Sequence, residues 1–218
     1  MANVLIEEQT MKDIGNAIRL KSGTEKKLKP YEMPKAISDI PSVDTTGQYF
    51  RVPKYAAAIG EMFRSVKQVK DFTLDLSEAK NLKSANNFIM QTTVTTLRIV
   101  GSFPTDKNIQ MRDVFRENYS LTAITGTPLN ASKWTLAGET FQYIPKLEYI
   151  RFVQETIAFS IKFTQSSVLS DVSIQSIIDG LADLTGKTAQ IIYFHNSVVK
   201  RLTDKQLQQI SSKNWSIG

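Results

Sequence analysis

The feature that most constrains this chain is a recurrence at Phe63, Phe88, Phe115 and Phe141, spaced by 25, 27 and 26 residues. Six residues after each Phe stand Val69, Val94, Leu121 and Leu147. Nine after stand Phe72, Leu97, Ile124 and Ile150, and eleven after stand Leu74, Ile99, Gly126 and Phe152. Eleven of these twelve downstream positions are apolar in a chain that is 41% hydrophobic overall, so the agreement marks a repeated unit rather than composition.

The residues at +9 and +11 alternate as in a short strand with one buried face. The leading Phe and the +6 residue then lie on a turn or short helix that crosses back beneath the strand. One such unit cannot bury its apolar edge alone, whereas stacked units build a continuous core. The period lies in the leucine-rich-repeat range of about 20–29 residues. The expected fold is therefore an α/β repeat: a short N-terminal helical unit followed by a leucine-rich-repeat-like solenoid with a C-terminal cap. A strict leucine-rich consensus with its Asn ladder is not present.

If +9 and +11 point inward, then +8 and +10 point outward. The +8 positions are Asp71, Thr96, Ala123 and Tyr149, and the +10 positions are Thr73, Arg98, Thr125 and Arg151. Arg98, Tyr149 and Arg151 form a candidate surface-binding ladder, with Tyr149 beside Arg151 suited to stacking on a sugar or a peptide. The competing reading is an ordinary polar sheet face.

Both ends depart from the repeat. In residues 1–41, Thr10 is placed to cap a helix whose apolar face is Met11, Ile14, Ala17 and Ile18. Gly23 ends it, Pro30 and Pro34 bracket a turn, and Met33, Ala36, Ile37 and Ile40 face a second short helix that stops at Pro41. Helices this short are marginal alone. Met11, Ile14, Ile18, Met33, Ile37 and Ile40 are thus candidate partner-docking residues of an N-terminal helical module. Residues 42–58 read as a linker, and 59–218 as the repeat region with its cap. Within that cap, an amphipathic helix is expected over 172–184 with Asp171 or Ser173 as its cap. A strand follows at Gln190–Phe194, then a helix capped by Thr203, and a last strand carrying Trp215 and Ile217.

Chemistry is sparse. The absence of cysteine excludes disulfides and thiolate metal sites, and the single histidine, His195, excludes a multi-imidazole one. His195 stands two residues from Ser197, yet no nucleophile elbow accompanies them. Asp71, Asp75 and Glu78 can be imagined as paired carboxylates, but nothing sets them across a cleft from another acid. No phosphate-binding loop or dinucleotide fingerprint occurs. No enzymatic activity, cofactor or metal is expected. Net charge is +6, but the basic residues are scattered among acidic ones, so no nucleic-acid partner is expected. No apolar run reaches bilayer length, and MANVLIEEQT lacks the basic start of a secretory signal. No membrane insertion is expected, and the chain is expected to fold in a cytosol.

Residues 13–40, DIGNAIRLKSGT…KPYEMPKAISDI, resemble a short module at the start of many structural proteins of tailed bacteriophages of Gram-positive hosts. Residues 176–217, SIIDGLADLTGKTAQ…HNSVV…LTDKQLQQISSKNWSI, resemble the closing segment of BspA-like leucine-rich-repeat proteins of phages and Gram-positive bacteria. The two resemblances together imply a virion structural protein, made in the host cytoplasm. They imply other virion proteins as partners, a homo-oligomer with a trimer among the options, and a host cell-surface receptor as a further partner. The array is short and carries no shaft, which favours a compact tail, baseplate or head-surface component over a long fibre. A bacterial or prophage-derived adhesion module and a cell-wall-degrading enzyme are the rival readings.

Overall fold

Strands form where apolar and polar residues alternate. At Asp71–Asp75 the alternation buries Phe72 and Leu74 while Asp71 faces solvent, and at Thr96–Val100 it buries Leu97 and Ile99 around an exposed Arg98. The structure is a computed structural model and describes residues 47–218. Met11, Ile14, Ile18, Met33, Ile37 and Ile40, with the rest of the expected docking module, lie outside the described residues.

Among the described residues, nine short strands and three helices follow in chain order: β1 (Gly47–Arg51), β2 (Asp71–Asp75), β3 (Thr96–Val100), β4 (Ile109–Gln110), β5 (Ala123–Gly126), β6 (Trp134–Thr135), β7 (Ile161–Phe163), α1 (Asp171–Gly180), β8 (Gln190–Phe194), α2 (Asn196–Val199), α3 (Asp204–Ser212) and β9 (Trp215–Ile217). They make a four-stranded sheet β1-β2-β3-β5, a two-stranded sheet β4-β6 and a three-stranded sheet β7-β8-β9. Every pairing within these sheets is parallel. In the first sheet the register sets Phe72 beside Leu97 and Leu97 beside Ile124, and sets Leu74 beside Ile99 and Ile99 beside Gly126. Equivalent positions of the recurrence are therefore direct neighbours on the buried face. Burying each such Leu, Ile or Phe contributes roughly 1.5–3 kcal/mol.

Parallel neighbours need long crossovers. Between β1 and β5 these are turns, not helices, and they are hydrogen-bonded to one another. Glu61 N–H donates to Asn86 O at 3.0 Å, Asn87 N–H to Arg112 O at 2.9 Å and Ser65 N–H to Met90 O at 2.9 Å. Glu61, Asn87 and Asp113 take positive φ, as do Ser65, Gln91, Glu117 and Tyr143, each series advancing by 26 residues. Side chains add a second tie: Ser65 Oγ donates to Gln91 Oε1 at 3.1 Å, and Gln91 Nε2 to Glu117 Oε2 at 2.6 Å.

The marker phenylalanines pack in two runs. Phe63 and Phe88 lie 5.3 Å apart between ring centroids, with Phe50 5.2 Å from Phe63. Phe115, Phe141, Phe163 and Phe194 follow at 5.3, 5.1 and 6.2 Å, each pair stacked. No ring contact joins Phe88 to Phe115 among the described residues.

The expected α/β leucine-rich-repeat-like solenoid is therefore corrected. Among the described residues, parallel pairing is split among three sheets of four, two and three strands, and helices are few. The physical reason is local. At Gly126 the chain leaves the first sheet with φ of 83°. The segment from Tyr149 to Phe152 then adds only isolated parallel bridges, Tyr149 to Ala123 and Phe152 to Leu129. The next neighbour is a helix rather than a strand, because Ser170 accepts a hydrogen bond from Ser173 N–H and starts α1 there. Helix hydroxyls take the place of strand carbonyls: Ser173 Oγ accepts Ile150 N–H at 3.1 Å and donates to Glu148 O at 2.9 Å, and Ser176 Oγ accepts Phe152 N–H at 2.9 Å. Segment 42–58, read from sequence as a linker, contains β1, which pairs with β2 over five residues.

Beyond α1 the elements follow the sequence closely. Thr203 caps α3 through a reciprocal box with Gln206, and Trp215 is buried with Nε1 donating to Ala182 O at 2.9 Å.

Candidate functional site

The outward face of the first sheet carries one column of side chains in register: Tyr49 beside Thr73, Thr73 beside Arg98 and Arg98 beside Thr125. Arg98 is exposed, and Thr125 separates its strand from the segment bearing Arg151. Parallel strands lie about 4.8 Å apart, so Arg98 and Arg151 sit roughly 10 Å from each other. Tyr149 is half-buried and Arg151 exposed, two residues apart on the same segment. The structure thus sets Tyr149 and Arg151 side by side and leaves Arg98 two strand spacings away, across β5.

Arg151 also lines an open groove of about 630 Å³. Its other walls are Gln154 and the polar stripe of α1, where Asp171, Gln175 and Asp179 recur every four residues and so share one helix face. The apolar face of the same helix, Ile174, Ile177 and Ile178, is buried. From α3 comes Gln206. These polar groups are fixed to one another. Gln175 Nε2 donates to Asp179 Oδ1 at 2.8 Å and to Gln209 Oε1 at 3.2 Å. Gln209 Nε2 donates to the same Asp179 oxygen at 2.8 Å, and Gln206 Nε2 to Gln175 Oε1 at 3.0 Å. At the rim, Arg201 donates to Asp171 Oδ1 and, at 2.8 Å, to Leu169 O.

A third polar cluster joins β1 to β2. Asp75 is 3% exposed. Its Oδ2 accepts from the Tyr49 hydroxyl and, at 2.9 Å, from Arg51 Nε. Its Oδ1 accepts from Ser77 N–H at 2.9 Å and Ser77 Oγ at 2.6 Å. Burial pushes the carboxyl up. The bonds from Ser77, Tyr49 and Arg51 outweigh it and hold the group well below the usual carboxylate range. The same contact raises the Tyr49 phenol, chiefly through its bond to Asp75. The imagined carboxylate pairing does not form: Asp71 and Asp75 stand at opposite ends of β2, and both Asp75 oxygens are occupied, one from β1 and one by Ser77 just past β2.

His195 and Ser197 do meet, at 2.8 Å between Nδ1 and Oγ. His195 is the N-cap of α2, its Nδ1 accepting Ser197 N–H at 3.1 Å, and Ser197 Oγ donates to Ser167 O at 2.9 Å. The hydroxyl proton thus points to a backbone carbonyl and the ring nitrogen to a helix end, an arrangement that closes a cap. Among the described residues no three His, Asp or Glu side chains converge on a metal position, and no helix is long and apolar enough to cross a membrane.

Comparison with protein-family models, with curated proteins and with solved structures finds no match. Sequence reasoning named Tyr149 and Arg151 as candidates and missed the groove that Arg151 lines. Its signal was the stripe of three polar residues, Asp171, Gln175 and Asp179, spaced by four along a helix read from sequence only as amphipathic.

Proposed function

We propose that this chain is a non-enzymatic structural protein of a bacteriophage virion, a tail, baseplate or fibre component. The N-terminal unit attaches it to the particle, and the parallel-sheet body carries a surface outward to the host cell or to a partner. The reading places it with other virion proteins as a homo-oligomer, after synthesis in the host cytoplasm. What supports it, beside the resemblance of residues 13–40 and 176–217, is one observation. The outward column from Tyr49 to Thr125 stands on in-register strands whose inner residues Phe72, Leu97, Ile99 and Ile124 are buried, with the Arg151 segment bridged to the last of them through Tyr149 and Ala123. A presenting surface needs such a backing, because side chains on paired strands are held in place by their neighbours.

The test is immunogold labelling of purified particles with antibody raised against this chain. The expected result is gold at a fixed place on every particle, with tail placement separating the reading from a head-surface decoration. A protein abundant in infected-cell lysate yet missing from washed particles overturns it.

A further inference from the structure

We infer that the groove between the Arg151–Gln154 segment and helices α1 and α3 binds an uncharged saccharide. The inference rests on the reading of the body as a presenting surface and names the class of ligand presented to it. The groove is already organised. The Gln175, Gln206, Gln209 and Asp179 side chains hold one another at 2.8–3.2 Å, so a ligand orders few of them. It offers both kinds of polar partner at once. Asp179 Oδ1 is taken by two amides, while Oδ2 has no partner among the described residues, and neither does the Arg151 guanidinium. An acceptor and a donor lining one groove suit hydroxyl groups, which both donate and accept.

Charge selects the class further. Arg151 and Arg201 carry two positive charges, and Asp171 and Asp179 two negative ones. An anion drawn to Arg151 meets both carboxylates, and a cation meets both guanidinium groups, so an uncharged ligand loses least. Val172, 63% exposed at the wall, offers the small apolar patch on which the C–H face of a sugar ring rests. A volume of about 630 Å³ lies within the range of small-ligand sites, about 300–1,000 Å³.

The experiment uses the full chain, labelled with ¹⁵N, titrated separately with lactose, maltose and di-N-acetylchitobiose, and with inorganic phosphate. At least one disaccharide is expected to shift the side-chain amide resonances of Gln154, Gln175 and Gln206 at millimolar concentration, with phosphate leaving them in place. Arg151→Ala and Val172→Glu alter exposed side chains and are expected to keep the parent circular dichroism. Each is expected to weaken sugar binding about tenfold, the loss of one good contact. Three disaccharides that leave these amides unmoved, variants that bind as well as the parent, or phosphate binding in preference to sugar each overturn the inference. Particles that carry the protein while it ignores all three sugars sink the groove alone. Sugar binding by a chain absent from particles sinks only the virion reading.

Discussion

Asn118 ties the turn after Phe115 to the turn after Phe88 by taking both donors of Thr92, 26 residues earlier: the N–H at 2.8 Å and the hydroxyl at 2.7 Å, both on Oδ1. Its Nδ2 gives its two hydrogens to Ile89 O at 2.9 Å and Phe115 O at 2.8 Å. The side chain is fully buried, and all four of its hydrogen-bonding positions are filled.

Replacing that amide by an apolar group of similar size leaves buried backbone groups of two adjacent turns without partners. Each costs about 1–3 kcal/mol, and some relax toward one another. Asn118→Leu is expected to lower the unfolding free energy by about 3 kcal/mol, read as a lower urea midpoint at unchanged slope. A loss under about 0.5 kcal/mol, the size of an ordinary surface change, contradicts the role given to this residue.

Two glycines separate backbone strain from collision. Gly126 has φ of 83°, and a Cβ built on it lies 2.1 Å from Ile99 O, a backbone atom of the neighbouring strand. Gly186 has φ of 76° with nothing within 4 Å. Left-handed backbone costs a side-chain-bearing residue about 1–2 kcal/mol in either place. Gly186→Ala should therefore cost about that much, while Gly126→Ala adds displacement of a strand carbonyl and should cost about 2 kcal/mol more. Differential scanning calorimetry of the two variants checks the order. Equal melting temperatures mean that β3 and β5 are not as close as described.

The strand pairing was legible because period-2 alternation at Phe72, Leu97 and Ile124 repeats at nearly fixed spacing, and parallel stacking is the arrangement that lets such positions share one buried face. Thr203 was legible as a cap because Gln206 stands three residues on, as a capping box requires. The division into three sheets was not legible. It depends on where the helix expected over 172–184 packs, with its Ser173 and Ser176 meeting Ile150 and Phe152 in space. Nor was the turn geometry: the positive-φ positions of these turns carry Glu61, Asn87, Asp113, Ser65, Gln91, Glu117 and Tyr143, and no glycine marks them. β1 escaped notice because Gly47–Arg51 is one short alternation amid Pro, Gly, Ser and Thr, and only its register against β2 distinguishes it from a linker. The partners of Asp75 were not legible for the same reason, since Tyr49 and Arg51 reach it from that strand.

Asp75 gives the chain an acid-sensitive tie between β1 and β2. Its folded pKa is depressed below the ordinary value of 3.8, so the unfolded chain binds its proton first as pH falls. By linkage, the stabilisation is fully present above that ordinary value and drains away as pH falls below it toward the folded pKa. Wild-type protein is expected to lose stability steadily from about pH 4 downward, with the other carboxylates adding their own share. Asp75→Asn removes this one titration. It also weakens the bonds from Tyr49 and Arg51, and is expected to cost about 2 kcal/mol at neutral pH. Urea unfolding of both proteins between pH 7 and pH 2.5 measures the difference. The gap between them should be constant from pH 7 to about pH 5 and should narrow below pH 4, since only the parent has this contribution to lose. A gap that stays the same down to pH 2.5 means that Asp75 titrates alike in the folded and unfolded chain, and the proposed tie between the first two strands then fails.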